Sequence, residues 1–452
     1  MSAPGTGTPI CDFAAAYAAG NPVRMHMPGH KGRGPLGAEA FDITEIEGAD
    51  ELYHARGVIR ESEENAAALF GAARTVYSAE GSSLAIRAML YLASLTAGRK
   101  DRRPLPLLAG RNAHRAMMTA AALLDLEVDW LLPGPGEDLL SCTVTPGMLA
   151  EKLAAGQYSA VYLTSPDYLG RTADIAGAAE VCRKAGVPLL VDNAHGAYLR
   201  FVSPDRHPLT LGADACCDSA HKTLPCLTGA AWLHLGHGAP ETWHGMAEEA
   251  LGLFGSTSPS WLILQSLDRV NALLAGDYPR KLQAAAARLA ELKKALAAEG
   301  WTFAGDEPMK LTLRAAERGL YGYDLARRLR ESGIVCEFAD REYTVLMPSG
   351  ETGEAEWRRL EAALRAVPQG KPLAGGMPEL PRPERVCSIR EAMLSPGPVV
   401  PLEEAVGRVL ADAAVSCPPA VPIVAAGERI TREAAECMAA RGITECRVTA
   451  GR

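Results

Sequence analysis

The chain has 452 residues, of which 48% are hydrophobic and 22% charged, so it is long enough to bury one large core and at least one smaller one. The formal net charge of −8 at pH 7 argues against a nucleic-acid surface, which would collect lysine and arginine. No stretch approaches the roughly 18 to 20 uncharged apolar residues of a membrane span, no signal peptide is recognisable, and the eleven cysteines form no CxxC pair. These features predict a cytoplasmic protein for a small-molecule substrate, with no metal site, disulfide framework, membrane contact or nucleic-acid partner.

The N-terminal segment, residues 1–57, contains a run of unusual composition. The sequence MHMPGHKGRG, at residues 25–34, holds two histidines, one proline and three glycines. Glycine and proline at this density predict a loop that approaches another group closely. His30, in this loop, is a candidate substrate contact.

Short apolar runs alternate with helical patterns between Thr75 and Gly236. The runs are TVYSAEG, LPLLAG, AVYLTSP, VPLLVDNAHG, DACCDSAHK and AAWLHLG. The segments between them, such as SLAIRAMLYLASLTAG and ADIAGAAEVCRKAG, carry apolar residues at helical spacing. This alternation predicts an α/β fold, in which helices cover a large, mostly parallel sheet.

The chain changes character after about residue 270. A long helix rich in alanine and lysine is predicted from Tyr278 to Gly300, and two further helices near residues 403–415 and 430–441. A Pro/Gly-rich stretch at residues 369–385, between the long helix and the two later ones, could be a linker or an ordered arm. The predicted segments are, in chain order, an N-terminal segment (1–57), a large domain (58–270), a small α+β domain (271–368), a linker (369–385) and a C-terminal segment (386–452).

Two charged residues follow predicted strands, at the edge where parallel sheets gather ligands. Lys222, in DSAHKTLPCLTG, could be a surface lysine of a loop, or burial could lower the pKa of its amine and ready it to form an imine. Asp192 ends the apolar run VPLLVD, thirty positions earlier. An acid at a strand end is often a turn or cap residue, but it could also hold the proton of a pyridinium ring.

Further polar residues follow neighbouring strands. Gly81, Ser82 and Ser83 open a predicted helix, whose N–H groups and dipole would attract a phosphate dianion, although serine is also a common N-cap. His114 could lie against the face of a ring or cap a helix at the surface. His195 could orient the strand-end carboxylate or contact a cofactor directly.

Together these residues meet the needs of one cofactor. Pyridoxal phosphate requires a lysine for an imine, an acid facing its ring nitrogen, a phosphate cradle and a group that covers the ring. The candidates occur in this chain at successive strand ends of one predicted sheet, and chance produces such an order far less often than any single match. The sequence therefore predicts a pyridoxal phosphate site.

The sequence resembles the Orn/Lys/Arg decarboxylase family, a group of pyridoxal phosphate enzymes with the aspartate aminotransferase fold. The similarity extends over nearly the whole chain and is most specific in MPGHKG and SAHKTLP. Other matching segments are LAGRNAHRAM, LTSPDYLGRTADI, VDNAHGAYLRF and STSPSWLILQSLD. The resemblance implies release of carbon dioxide from arginine, lysine or ornithine, a reaction of polyamine biosynthesis, in a homodimer or larger homo-oligomer with shared active sites.

The resemblance also implies roles for individual residues. Lys222 would form the imine, Asp192 would pair with the ring nitrogen, and His114 would stack on the ring. His221 would lie near the phosphate or the reacting carbon and assist proton transfer. The phosphate would be bound by a further group of hydroxyls, namely Ser82, Ser83, Ser219 and, in the neighbouring subunit's site, Thr257.

The chain departs from the family pattern at several positions. Glu80 stands where the family usually has asparagine, which places a negative charge beside the predicted phosphate, and Ser83 replaces threonine. Near the C-terminus, PPAVP (residues 418–422) replaces PPGIP, and AAGE replaces PGE. Glu428, the acid of that motif, could bind the distal cation of a substrate or neighbour the start of a helix near Ile430.

Two alternative functions remain at this point. The same fold hosts aminotransferases and aldolases, because a fold does not determine a reaction. A non-catalytic relative that binds the cofactor is the other alternative, motivated by Glu80 and the altered C-terminal motif. The family-specific HKTLP sequence, which begins at His221, favours decarboxylation over the other reactions, and retention of Lys222, Asp192 and His114 argues against the non-catalytic relative.

Overall fold

The computed structural model describes residues 6–96, 99–100, 103–134, 140–373, 380–413 and 421–451. The α-helices of these residues are α1 (Pro9–Ala19), α2 (Val58–Phe70), α3 (Gly81–Thr96), α4 (Arg115–Leu124), α5 (Pro146–Ala155), α6 (Ile175–Ala185), α7 (Ala220–Thr223), α8 (Glu241–Gly252), α9 (Trp261–Ala275), α10 (Tyr278–Ala298), α11 (Gly322–Glu331), α12 (Glu354–Arg365), α13 (Ile389–Met393), α14 (Leu402–Ala405) and α15 (Arg432–Ala439). Short 3-10 helices span Leu52–His54, Ala197–Phe201 and Ala315–Arg318.

The strands of the described residues are β1 (Arg74–Ser78), β2 (Arg99–Lys100), β3 (Arg103–Pro104), β4 (Leu107–Gly110), β5 (Val128–Leu131), β6 (Ala160–Thr164), β7 (Leu189–Asp192), β8 (Ala215–Asp218), β9 (Ala231–Leu235), β10 (Phe303–Ala304), β11 (Leu311–Arg314), β12 (Phe338–Ala339), β13 (Tyr343–Leu346), β14 (Val399–Pro401) and β15 (Glu445–Arg447). The chain forms two compact units of interleaved segments. The first comprises Met1–Thr96 and Ile175–Leu282, and the second Ala97–Asp174 and Gln283–Arg452.

The first unit contains four strands in the order β1, β9, β8, β7. Strands β7 and β8 are parallel, with Asp192 opposite Cys217, whereas β9 runs antiparallel to both β8 and β1. All four residues of β7 and of β8 are buried, as expected for central strands with short apolar runs. Helix α2 buries Ile59, Ala66 and Phe70 and ends at a glycine in the left-handed conformation, Gly71.

The second unit contains parallel strands β6, β4 and β5, with β4 between the other two. It also contains an antiparallel sheet in the order β10, β11, β13, β12, and a small antiparallel pair, β14 and β15. The long predicted helix is confirmed as α10, which ends two residues earlier than predicted. A separate apolar core in this unit includes Val345, Leu402, Ile423 and Met438.

One expectation about an individual element was wrong. The predicted helix near 403–415 is only the four-residue α14, because the chain turns at Gly407 in the left-handed conformation, with a φ of 85°. Beyond that turn, Val409 and Leu410 form isolated β-bridges with Arg429 and Val448. Helix α1 precedes the predicted loop at residues 25–34, in the same N-terminal segment.

Some predicted features lie outside the described residues. These are residues 374–379 of the predicted linker, and the first three residues of PPAVP, residues 418–420. Over the ranges given above, no helix combines the length and the apolar character needed to cross a membrane.

Candidate functional site

Lys222 lies just beyond the carboxyl end of β8, in the one-turn helix α7. Its Nζ atom is 3.2 Å from Nε2 of His195. Of the two alternatives for this residue, exposure and burial, the single chain shows exposure. The short helix begins directly after the strand, which fixes the direction of the lysine while leaving its amine accessible.

Asp192 occupies the last position of β7 and is only 3% exposed. Its Oδ1 atom accepts the backbone N–H of Ala194 at 3.2 Å and the thiol of Cys217 at 3.5 Å. Burial raises the pKa of Cys217 well above its ordinary value, so this thiol keeps its proton and remains a donor. A buried carboxylate with weak neutral donors is suited to hold a protonated ring nitrogen.

Two serine hydroxyls meet at the start of helix α3. Ser219 Oγ donates to Ser82 Oγ at 2.8 Å, although 137 residues separate them in sequence. Gly81, the first residue of α3, has a φ of 71°, and its N–H donates to the carbonyl of Gly229 at 2.7 Å. Ser83 follows in the same first turn. Paired hydroxyls at a helix N-terminus are suited to bind a phosphate dianion.

His221 lies beside Lys222, with a ring whose tautomer is set by the backbone. Its Nδ1 atom is 2.9 Å from the carbonyl oxygen of Ala230, which can only accept, so Nδ1 carries the proton. Burial lowers the pKa of His221, and the charge of Lys222 adds to this effect. The neutral ring therefore has its lone pair at Nε2, where it can take up a proton.

Glu80 contacts the loop that carries Thr257. Its Oε1 atom accepts the backbone N–H of Ser256 at 2.6 Å, and Thr257 is exposed in that loop, between α8 and α9. Burial, and secondarily the charge of Glu80, raises the pKa of Tyr53 to about 12. The carboxylate at position 80 thus binds backbone of this loop.

His30 lies in the glycine-rich N-terminal loop. Its Nε2 atom is 3.1 Å from Oδ2 of Asp42, and its Nδ1 atom accepts the N–H of Gly32 at 3.0 Å. Lys31 and Gly32 both have positive φ, at 54° and 76°, which gives the loop its sharp turn. In the single chain, these contacts hold the ring of His30 within its own loop.

His114 and Glu428 belong to the second unit. His114 caps helix α4, since its Nδ1 atom accepts the N–H of Ala116 at 3.2 Å. Glu428 forms a two-point ion pair with Arg111, with distances of 3.1 Å from Nη1 to Oε1 and 2.7 Å from Nη2 to Oε2. Both side chains are buried, at 6% and 7% exposure. The helix predicted to start near Ile430 begins at Arg432, and the side chain of Thr431, not that of Glu428, caps it.

A buried polar network in the first unit was missed by sequence reasoning. Asp218, the last residue of β8, accepts Asn193 Nδ2 at 2.7 Å through Oδ1 and His207 Nε2 at 2.9 Å through Oδ2. His234 Nε2 lies 3.5 Å from the same Oδ2, and its Nδ1 atom contacts the hydroxyl of Thr75 at 2.8 Å. All members are buried. The only sequence signal was one acid in an apolar strand, because its partners are distant in sequence.

The network includes three potential metal ligands, because donor atoms of His207, Cys216 and Asp218 lie within 4.8 Å of one another. Both oxygens of Asp218 already accept hydrogen bonds, however. We therefore describe the cluster as a hydrogen-bonded part of the core.

The fold places the chain in a known structural class. The crystal structure of a lysine decarboxylase from Francisella novicida, LdcF, matches 98% of this chain and 81% of its own, with a TM-score of 0.77 and 17% sequence identity. The constitutive lysine decarboxylase of E. coli matches to similar extent, with a TM-score of 0.75 and 18% identity. The predicted fold class, that of the pyridoxal phosphate enzymes of aspartate aminotransferase type, is confirmed.

Sequence comparison then gives the family. Residues 8–314 match the major domain of Orn/Lys/Arg decarboxylases, and residues 388–440 match the C-terminal domain of the same family. An arginine decarboxylase of Halalkalibacterium halodurans is 30% identical over 94% of this chain and 91% of its own length. The uncharacterized protein YaaO of Bacillus subtilis is also 30% identical, over 95% and 93%. This chain belongs to the Orn/Lys/Arg decarboxylase family.

Proposed function

We propose that this protein is a pyridoxal phosphate-dependent decarboxylase of a basic amino acid, with arginine as the first candidate substrate. One observation carries the proposal. The carboxylate of Asp192 ends β7, and the paired hydroxyls of Ser82 and Ser219 and the exposed Lys222 lie just beyond β1 and β8, all in the first unit. These groups supply a phosphate cradle, a partner for a ring nitrogen and an anchoring amine.

The cofactor, when bound, would supply an electron sink for the bond to the departing carboxylate. Lys222 would anchor the cofactor through Nζ. His195, whose Nε2 atom contacts that amine, would accept a proton from it. Asp192 would keep the ring nitrogen protonated, because a buried anion stabilises a nearby positive charge. His221 would take up and return a proton at Nε2, next to the reacting carbon. His114 would cover the ring.

We rank arginine before lysine and ornithine as the candidate substrate because of the names of the sequence relatives. Several relatives called arginine decarboxylase, from Bacillus subtilis, Bacillus anthracis and Halalkalibacterium halodurans, are 29–30% identical over 94% of this chain. The lysine decarboxylases with similar structures are 17–20% identical to this chain. Lysine and ornithine are the competing substrates.

A homodimer, or a larger homo-oligomer, is part of the proposal. Thr257 lies exposed on a loop held by Glu80, and in a dimer it would reach the phosphate bound by the neighbouring subunit. A single chain would then lack one ligand of its own phosphate site, so activity would depend on association.

The test uses the purified protein with pyridoxal phosphate. Visible absorbance of the bound cofactor and release of carbon dioxide are measured with arginine, lysine and ornithine, for the wild type and for Lys222→Ala. We expect release from arginine to be fastest and to disappear in the variant. Bound cofactor without release from any of the three would refute the decarboxylase assignment, and transfer of the amino group to a keto acid would select an aminotransferase instead.

A further inference from the structure

Two short segments of the first unit carry candidate cofactor residues. One, the β7 segment, comprises residues 192–196 and begins at the end of β7, and the other, the β8 segment, comprises residues 218–222 and begins at the end of β8. The two strands are parallel neighbours. The segments also meet further on, where Nζ of Lys222 lies 3.2 Å from Nε2 of His195. The spacing of the candidate cofactor residues therefore depends on how one segment is held against the other.

Asn193 joins the two strand ends through two hydrogen bonds. Its backbone N–H donates to the carbonyl of Cys217 at 3.0 Å, and its Nδ2 atom donates to Oδ1 of Asp218 at 2.7 Å. Asn193 and Asp218 are both fully excluded from solvent, which strengthens the bond to the charged acceptor. Because the two bonds reach consecutive residues, they fix the distance between the segments and also the position of one along the other.

The amide of Asn193 is also enclosed by the turn that carries His195. The N–H of Gly196 donates to the backbone carbonyl of Asn193 at 2.8 Å, so His195 is one of the two central residues of this turn. A Cβ atom added at Gly196 would overlap Oδ1 of Asn193. Glycine thus lets the turn pack directly on the amide. A movement of the amide would therefore displace the turn that holds His195.

Asp218 anchors the other end of this link. Its second oxygen, Oδ2, accepts Nε2 of His207 at 2.9 Å, so the carboxylate is tied to the core as well as to Asn193. Ser219 follows directly, and its Oγ atom donates to Oγ of Ser82 at 2.8 Å. The bond from Asn193 thus ends one residue before a hydroxyl that is proposed to bind phosphate.

We infer that Asn193 is a positioning residue, whose bond to Asp218 sets the spacing between the β7 segment and the β8 segment that cofactor binding requires. The inference rests on the proposed function, because it assumes that the cofactor is bound by residues of both segments. The amide of Asn193 is buried and already bonded within the protein. It therefore acts on the cofactor only through the other residues of the two segments.

The test exchanges the two partners in the full-length protein. The variants are Asn193→Asp, Asp218→Asn and the double variant, and their affinity for pyridoxal phosphate is measured by visible absorbance, well below each melting temperature. Asn193→Asp sets two carboxylates against each other, and each single variant should bind the cofactor about tenfold more weakly. In the double variant, the amide at position 218 can donate to the carboxylate at position 193 while its oxygen accepts His207. Affinity should then return to within about threefold of the wild type.

Asn193→Ala is added in case the exchange variants do not fold, and Asn271→Ala is its matched control. Asn271 is equally buried in the first unit, in α9, and its Nδ2 atom donates to the hydroxyl of Tyr77 at 2.6 Å. Both variants lose a buried amide and should have lower melting temperatures. Asn193→Ala should also weaken cofactor binding about tenfold, whereas Asn271→Ala should stay within about twofold of the wild type.

Different failures are distinguishable. A wild type that binds no cofactor would overturn the proposed function and this inference together. Wild-type binding with unchanged cofactor affinity in folded Asn193→Asp or Asn193→Ala would overturn the inference alone. A double variant that regains the melting temperature but not the affinity, or equal losses of affinity in Asn193→Ala and Asn271→Ala, would do the same.

Discussion

Replacing Asp218 by asparagine should destabilise the first unit strongly. Burial alone would raise the pKa of Asp218, but His207 and His234 more than offset this and hold that pKa well below its usual range. The carboxylate is therefore an anion that accepts two side-chain hydrogen bonds in a site without solvent access. In Asp218→Asn, the amide can present an oxygen to only one of the two donors, so its NH₂ group must face the other.

The magnitude follows from these contacts. Loss of one partner of a buried, charge-assisted network typically costs about 3–5 kcal/mol. For a unit of roughly two hundred residues, each 1 kcal/mol lowers the melting temperature by about 2–4 °C, so a decrease of roughly 6–20 °C is expected. Differential scanning fluorimetry at pH 7 measures this decrease.

Asp277→Asn provides the matched control for Asp218→Asn. Asp277 also pairs with a cation, Arg280, at 3.0 Å, but both side chains are more than 80% exposed. Exposed pairs contribute little, so the melting temperature should change by no more than about 2 °C. Equal shifts for the two variants, or a shift below about 3 °C for Asp218→Asn, would refute the assignment of Asp218 as the centre of a buried network.

Three further predictions concern other parts of the structure. Burial raises the pKa of Asp167 to about 6, so the folded state holds this proton more tightly than the unfolded chain, and the associated stability is lost as pH rises through 6. Because the folded pKa lies about one pH unit above 5, melting curves should show Asp167→Asn gaining about 1.4 kcal/mol on the wild type between pH 5 and pH 8. An unchanged difference between the two proteins would contradict this. Gly427→Ala should lower the melting temperature more than Gly407→Ala. Both glycines have positive φ, but only at Gly427 would an added Cβ meet a backbone oxygen, at 2.5 Å. Equal decreases for the two variants would contradict this expectation. Glu80→Ala should weaken cofactor binding severalfold, because the Ser256 amide loses its acceptor. Glu80→Gln keeps an acceptor, so its cofactor affinity should stay within twofold of the wild type. Tighter binding by both variants would show that charge repulsion dominates.

The strand-end residues of the first unit could be predicted because the local pattern was sufficient. Strands β7 and β8 are short apolar runs buried along their whole length, and each ends in one acid. The parallel arrangement then brings residues after both strands to one edge, which is why Asp192 and Lys222 could be expected to follow neighbouring strands. The contact between Ser82 and Ser219 agrees with the predicted cradle.

Other elements could not be predicted, for physical reasons that are visible in the structure. Strand β5 was missed because Asp129 and Trp130, its two central residues, are only half-buried and interrupt the apolar run. The helix expected after Leu402 does not continue past Gly407, which has a left-handed conformation. The apolar residues around it keep helical spacing, so their pattern did not indicate this turn. Neither feature follows from the spacing of apolar residues alone.

Partners of buried charges were also beyond sequence reasoning. Arg111 and Glu428 are 317 positions apart, and nothing in either neighbourhood identifies the other. Glu428 was a candidate substrate contact because an acid can pair with the distal cation of a basic substrate. In the structure, the guanidinium of Arg111 binds both of its carboxylate oxygens. Pairing of this kind depends on the completed fold.

The most direct test of the central claim is to identify the lysine that carries the cofactor. The wild-type protein, loaded with pyridoxal phosphate, is reduced with borohydride, digested and analysed by mass spectrometry, with Lys222→Ala and the exposed-lysine variant Lys184→Ala in parallel. We expect the reduced cofactor on the peptide that contains Lys222, no label and no carbon dioxide release from arginine in Lys222→Ala, and normal behaviour in Lys184→Ala. Label on another lysine, or undiminished carbon dioxide release without Lys222, would contradict it.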